Sequence, residues 1–247
     1  MVIVQHFPDS VKQYAEAETF PGRDFPIPDR CPHPECQADG SLIRWGTYWR
    51  WACTADSDYH IRVQRIRCKV CGRTHSLLPD FLHPHRHYAI CLLQHAVSLY
   101  VIAGQGLGRL MEQLPNRGPP LSTVREWLGS FAYGAGELLL DVVTRQLLAL
   151  DPLAKLPDTT LRQAQDTAPP QHLNRIPDPI KRRRLERAYL FWLLAEQLYA
   201  QVKARQPRLH FTATQLFPFL LHWLQTQAIS PRLFWSPALP HTPTTPF

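Results

Sequence analysis

No stretch of the 247-residue chain is apolar for long enough to cross a bilayer. The longest candidates, GELLLDVV and LFPFLLHWL, are short and flanked by polar residues. The opening MVIVQHFPDS has neither the basic start nor the long apolar middle of a secretory signal. Glycine is modest at 11 residues, no internal repeat is visible, and the H-E-x-x-H pattern of a hydrolytic zinc centre is missing. These absences argue against a membrane or secreted protein and predict a cytoplasmic one. In a reducing compartment, spaced cysteine pairs read as metal ligands before they read as disulfides.

Hydrophobic residues make up 45% of the chain, enough for a core, and the formal charge of +7 with a pI of about 9.3 suits an anionic partner such as nucleic acid. The 24 prolines gather at the start, in the middle and in the tail, where they read as punctuation between modules. The expected fold class is α+β, mainly α. An N-terminal arm (1–30) precedes a small antiparallel zinc ribbon (31–80) and a helix-turn-helix-like helical domain (85–150). A linker (151–180), a C-terminal helical region (181–230) and a disordered tail (231–247) follow. The arm reads as irregular, with one short helix near DSVKQYAEAE.

Five of the six cysteines lie within 31–80. Cys31 and Cys36 form C-x4-C, and Cys68 and Cys71 form C-x2-C in CKVCGR, where the glycine permits the tight turn after a ligand. Four thiolates close a tetrahedral zinc site and leave no position for water, so the metal supplies folding energy rather than catalysis. His33 and Cys53 stand as alternatives to one of the four. Between the pairs, SLIRWGTYWRWACTADSDYHIRVQRIR is rich in β-branched and aromatic residues and contains a turn signal, which predicts two or three antiparallel strands. His83, His85 and His87 alternate, so an extended segment would place them on one face, either as a second metal site or as a polar connector near phosphates.

The apolar spacing of Leu93, Ala96, Val97 and Tyr100 predicts an amphipathic helix closed by Gly104, and QGLGRLMEQL a short helix after it. After the break PNRGPP, Val124, Trp127, Leu128 and Phe131 mark the buried face of another helix. There Ser122 or Thr123 can cap the helix, Thr123 and Glu126 have the spacing of a capping box, and Gly134–Gly136 is the expected interruption. A short helix, a break and a capped helix outline a helix-turn-helix. The candidate nucleic-acid contacts are Thr123, Arg125 and Ser130 on that helix. Arg44, Arg50, Arg62, Arg65, Arg67, Arg73 and Arg86 join them from the ribbon and the segment after it, and Arg182 and Arg183 from the charge run KRRRLER. Trp45, Tyr48, Trp49 and Trp51 interleave with the ribbon arginines, where aromatics can stack on bases or fill a small core.

The C-x4-C pair, the segment RIRCKVCGRTHSLLPDFLHPHRHY and the helix-turn-helix-like stretch together resemble the N-terminal region of bacterial insertion-sequence transposases. They look closest to a poorly characterised family of stand-alone bacterial proteins with that arrangement. The resemblance covers roughly residues 28–140 and is most specific at the knuckle followed by SLLPDFLHP. It implies a bacterial protein that binds double-stranded DNA, associated with the nucleoid when bound. In the transposases a catalytic domain with three metal-binding carboxylates follows. Here Asp151, Asp158, Asp166, Asp178, Glu186 and Glu196 fall in linker or helix, so catalysis is not carried over.

The leading expectation is therefore a zinc-dependent, non-enzymatic DNA-binding protein, a regulator or accessory protein of a mobile genetic element. The alternative is a zinc-ribbon adaptor that uses the apolar helices at 181–227 to bind another protein or a second copy of itself.

Overall fold

The computed structural model describes residues 2–84, 86–114, 118–156 and 170–229. The chain is α+β, mainly α, and divides into two units, one of residues 1–92 with 221–228 and the other of the remainder. The first unit contains β1 (Val2–Gln5), α1 (Val11–Glu16), β2 (Leu42–Cys53), β3 (Asp58–Cys68) and β4 (Thr74–Pro79), in the sheet order β1-β4-β3-β2. Two antiparallel strands, β2 and β3, lie between the cysteine pairs as expected, with the turn at Thr54–Ser57, and a third, β4, follows the second pair.

Residues 1–30 do more than the irregular arm expected of them. β1 pairs in parallel with β4, Val2 opposite Ser76 through Gln5 opposite Pro79. The outer edge of β1 is closed by one side chain. Val4 N donates to Gln225 Oε1 at 2.6 Å, and Gln225 Nε2 donates to Val4 O at 3.1 Å, so an amide stands in for a further strand. Helix α1 does form where expected, and Ser10 and Gln13 cap it reciprocally. Its Tyr14 lies edge-on to Phe7 and Phe81, at 4.9 and 5.3 Å, and donates its hydroxyl to Arg62 O at 3.0 Å. The arm thus builds one side of the core that holds Ile61, Val63, Leu77 and Leu78.

The second unit is helical. Helix α2 (Ile90–Val97) continues through a π-helical turn at Ser98–Ile102 and ends at Gly104, whose φ of +69° suits glycine. Leu93, Ala96, Val97 and Tyr100 are buried as their spacing predicts. Next come α3 (Leu107–Gln113), α4 (Leu121–Tyr133), a π-helical segment (Gly134–Leu139), α5 (Leu140–Leu150), α6 (Pro179–Arg205) and α7 (Leu216–Thr226). Val124, Trp127, Leu128 and Phe131 of α4 are all buried. Pro218 sits in the first turn of α7, where a missing N–H costs nothing. No helix among the described residues is long and apolar enough to cross a membrane.

Two expectations need correction here. Thr123 does not cap α4. The helix starts one turn earlier with Pro120 at the cap position, because Val124 N donates to Pro120 O at 3.1 Å and Thr123 is already helical. The apolar residues after 181 dock on the helix before them: Phe131 meets Phe191 and Phe217 at 6.1 and 5.5 Å. The linker at 151–180 is partly ordered structure. Asp151 accepts from Gln201 Nε2 at 3.0 Å, and Gln171–Arg175 forms a 3-10 turn. Residues 157–169 of that linker and the tail at 231–247 lie outside the described residues.

The glycines at 134–136 have a packing reason. A Cβ on Gly136 would lie 2.6 Å from Arg184 O, so α6 runs against bare backbone there, and Arg187 Nε donates to Gly136 O at 2.8 Å. Gly136→Ala should cost about 1–3 kcal/mol in denaturant unfolding. Gly129→Ala, in the middle of α4 with open space around it, should stabilise by up to about 1 kcal/mol.

A second expectation concerns pH. His6 Nδ1 lies 2.7 Å from Asp80 Oδ2, and Phe7 N donates to Asp80 Oδ1 at 3.2 Å, which ties the end of β1 to the end of β4. The hydrogen bond to Asp80 raises the His6 pKa above its usual 6.5, against the opposing effect of burial. A raised folded pKa gives stability that is complete below 6.5 and is lost as pH rises through the folded value. Unfolding free energy should fall across that window in the native chain, and the slope should flatten in His6→Gln.

Candidate functional site

The two cysteine pairs converge. Cys31, Cys36, Cys68 and Cys71 place their Sγ atoms within 4.8 Å of one another. Cys31 and Cys71 are 3.9 Å apart, and Cys36 and Cys68 are 3.7 Å apart. A tetrahedron with metal–sulfur distances of about 2.3 Å has sulfur–sulfur edges of about 3.8 Å. The four thiols therefore fit a closed metal site of the expected composition. Among the described residues this is the one group of three or more potential ligands close enough to hold an ion.

Local sequence explains each half. In CKVCGR, Gly72 takes a φ of +70° and donates to Cys68 O at 3.0 Å, while Cys71 N points at Cys68 Sγ at 3.5 Å. The knuckle is thus the turn that joins β3 to β4. In CPHPEC the longer spacing is absorbed by a turn in which Cys36 N and Gln37 N both donate to His33 O, and Gln37 adopts a φ of +47°. Arg30 and Asp39 close the base of that loop at 2.8 Å. Lys69 N donates to Ser41 O at 2.8 Å and links the two loops directly.

The surroundings of the sulfurs differ. Ser41 Oγ lies 3.2 Å from Cys68 Sγ, and with the Cys71 amide it brings the Cys68 thiol down to about 6. Burial pushes Cys31 up to about 12. His75, which the spacing of the cysteines did not single out, is buried on β4 with Nε2 3.7 Å from Cys31 Sγ. Burial holds its pKa down, at about 4, so a neutral ring faces the sulfur. The alternatives to the four-thiol set fall away: neither His33 nor Cys53 belongs to the cluster. Cys53 N instead donates to His87 O, and Cys53 O accepts from Ala89 N.

The basic residues separate into groups. On the hairpin, Trp45, Trp49 and Trp51 are 53, 56 and 49% exposed, whereas Tyr48 packs against the core. Arg67 lies over Trp45 at 4.5 Å and Arg62 over Trp49 at 5.6 Å. Arg65 reaches Thr74 Oγ1 at 3.0 Å, Arg44 donates to Phe25 O at 2.8 Å, and Arg73 is exposed on the turn after the knuckle. Arg50 differs from the rest. It turns inward and donates to His83 O and Arg86 O, and burial lowers its pKa, so its guanidinium serves the fold. Arg86 is partly buried.

His83 is buried while His87 is exposed, and His85 lies outside the described residues, so His83 and His87 do not share a solvent-facing side. On α4, Ser130 is buried and is no surface contact, whereas Thr123 and Arg125 are partly exposed. Arg125 lies near Lys181, whose pKa falls through burial and through that like charge. Arg182 and Arg183 line a shallow depression with Asn174, Pro179 and Glu186. Asp178 caps α6 by accepting from Ile180 N and Lys181 N, which offsets the poor placement of cations at a helix start.

Residues 31–105 match a family described as a domain of unknown function, DUF6431. That span contains all four clustered cysteines, the three antiparallel strands and α2. Searches of curated proteins and of solved structures give no match.

Chain purified without chelator should carry one tightly held divalent ion, measured by elemental analysis. Cys68→Ser should lose it and unfold the hairpin, while helical circular dichroism from the second unit largely persists. Ion-free protein with an intact hairpin would contradict the site.

Proposed function

We propose that the chain is a zinc-stabilised, non-catalytic DNA-binding protein, acting as a regulator or accessory factor of a mobile genetic element. The observation that carries this reading is the hairpin anchored by the four-thiol cluster, whose solvent side combines three exposed tryptophans with Arg62 and Arg67. Zinc is the metal that four thiolates in a closed tetrahedron favour, and a closed set leaves no position for an activated water. Arginines along a strand reach phosphates, and the net charge of +7 favours a polyanion.

The helix-turn-helix remains part of the proposal, with α3 and α4 as its two helices and Arg125 as the base-reading side chain. The adaptor alternative loses the feature that favoured it, since Phe191, Trp192, Phe217 and Phe219 are already buried.

A gel-shift series with specific and random duplexes at several salt concentrations tests the reading. Affinity should fall steeply as salt rises, as it does when counterions are released from phosphates. Arg125→Ala should cost about 1–3 kcal/mol on the specific duplex and relax its preference. Arg67→Ala should weaken all duplexes alike and reduce the salt slope by about 1. No binding at low salt would overturn the reading.

A further inference from the structure

The hairpin leaves three indoles half in water, although its inward positions Ala52, Ile61 and Val63 are closed to solvent. The outward rings are not arranged at random. His60 is stacked against Trp49 at 4.9 Å with planes 24° apart, and against Trp51 at 4.7 Å with planes 30° apart. Arg62 covers Trp49 and also lies over Phe20, at 5.4 Å. The result is a column of near-parallel rings with a guanidinium beside it. Cross-strand pairing explains part of it, since Trp51 is opposite His60 and Trp49 opposite Arg62. Pairing alone does not require that about half of each indole stay exposed.

We propose that this column is a stacking platform for unpaired nucleobases, so that the hairpin binds single-stranded nucleic acid. This rests on the nucleic-acid reading above and names the form of ligand taken at the hairpin. Bases in a duplex are stacked on their neighbours and offer no face to an indole, whereas a single strand offers one per nucleotide. Arg62 sits against Trp49 in the column and Arg67 against Trp45 nearer the base of the same hairpin, so a phosphate-binding group accompanies a base-binding ring at both places. Charge selects the occupant. From Leu42 to His75 the acids are Asp56 and Asp58, both near the hairpin tip, while Arg44, Arg62, Arg65, Arg67, Lys69 and Arg73 lie along its strands and base. A polyanion with exposed ring faces fits that surface. The ring faces are common to DNA and RNA strands, so both are probed.

The experiment uses the full, metal-loaded chain with labelled oligothymidine, oligouridine of the same length and a blunt duplex, measured by anisotropy at one fixed salt concentration. The chain should bind at least one of the single strands, and the tighter of the two identifies the source. Trp49→Ala/Trp51→Ala should weaken that binding at least about tenfold. Trp49→Phe/Trp51→Phe should restore most of it. Should the alanine variant fail to fold, indole emission of the native chain decides: a bound single strand should quench it and the duplex should not. Single-strand binding unaffected by the alanine changes, or unquenched emission, overturns the platform. Duplex binding without single-strand binding also overturns it and leaves the broader reading standing. Binding to none of the three probes removes both.

Discussion

Four sulfurs drawn together from two loops more than thirty residues apart in sequence are the constraint on which the hairpin depends. As thiolates they repel one another, and as neutral thiols they interact weakly, so a bound cation would make their convergence favourable. The geometry extends the consequence outward. The Cys68–Cys71 knuckle is itself the turn into β4, and the Cys31–Cys36 loop is fastened to it through Lys69 and Ser41. Fixing the sulfurs therefore fixes the base of β2 and β3, and the outer part of the hairpin projects from that base with its tryptophans and arginines.

The hairpin has two unlike sides because its sequence alternates. Tyr48 and Ala52 on β2, and Tyr59, Ile61 and Val63 on β3, pack against the core, while Trp49, Trp51, His60 and Arg62 face water. A strand that only needed to close a core would carry small polar groups outside. The indoles outside instead combine large stacking area with adjacent cations, and this combination links the fold to the proposed ligand.

Much of this was legible in the sequence where a residue type has one strong use. The cysteine spacing gave the cluster, the 3.6-residue spacing in α4 gave its buried face, and Gly104 marked a helix end. Other features depended on partners distant along the chain. Nothing local in VIVQ announces a parallel pairing with residues 76–79, or that Gln225 will cover its edge. Arg50 looks like its neighbours until its guanidinium is found holding the His83 and Arg86 carbonyls. Thr123 and Glu126 have the spacing of a cap, yet Pro120 is preset for a helix start and lets the helix begin one turn sooner. His75 had no signal beyond lying four residues after Cys71, and it is placed against Cys31 only by the β3–β4 register.

The most direct test of this account is amide hydrogen exchange on the full chain, metal-loaded and then stripped by chelator under reducing conditions. If the thiolate centre holds the hairpin, stripping should collapse protection at Leu42–Arg44 and Ile66–Cys68 first and along the rest of β2 and β3 with it. Protection in α4 and α6 should remain. Unchanged protection of β2 and β3 in the stripped protein would contradict the claim that the cluster anchors the surface proposed to bind nucleic acid.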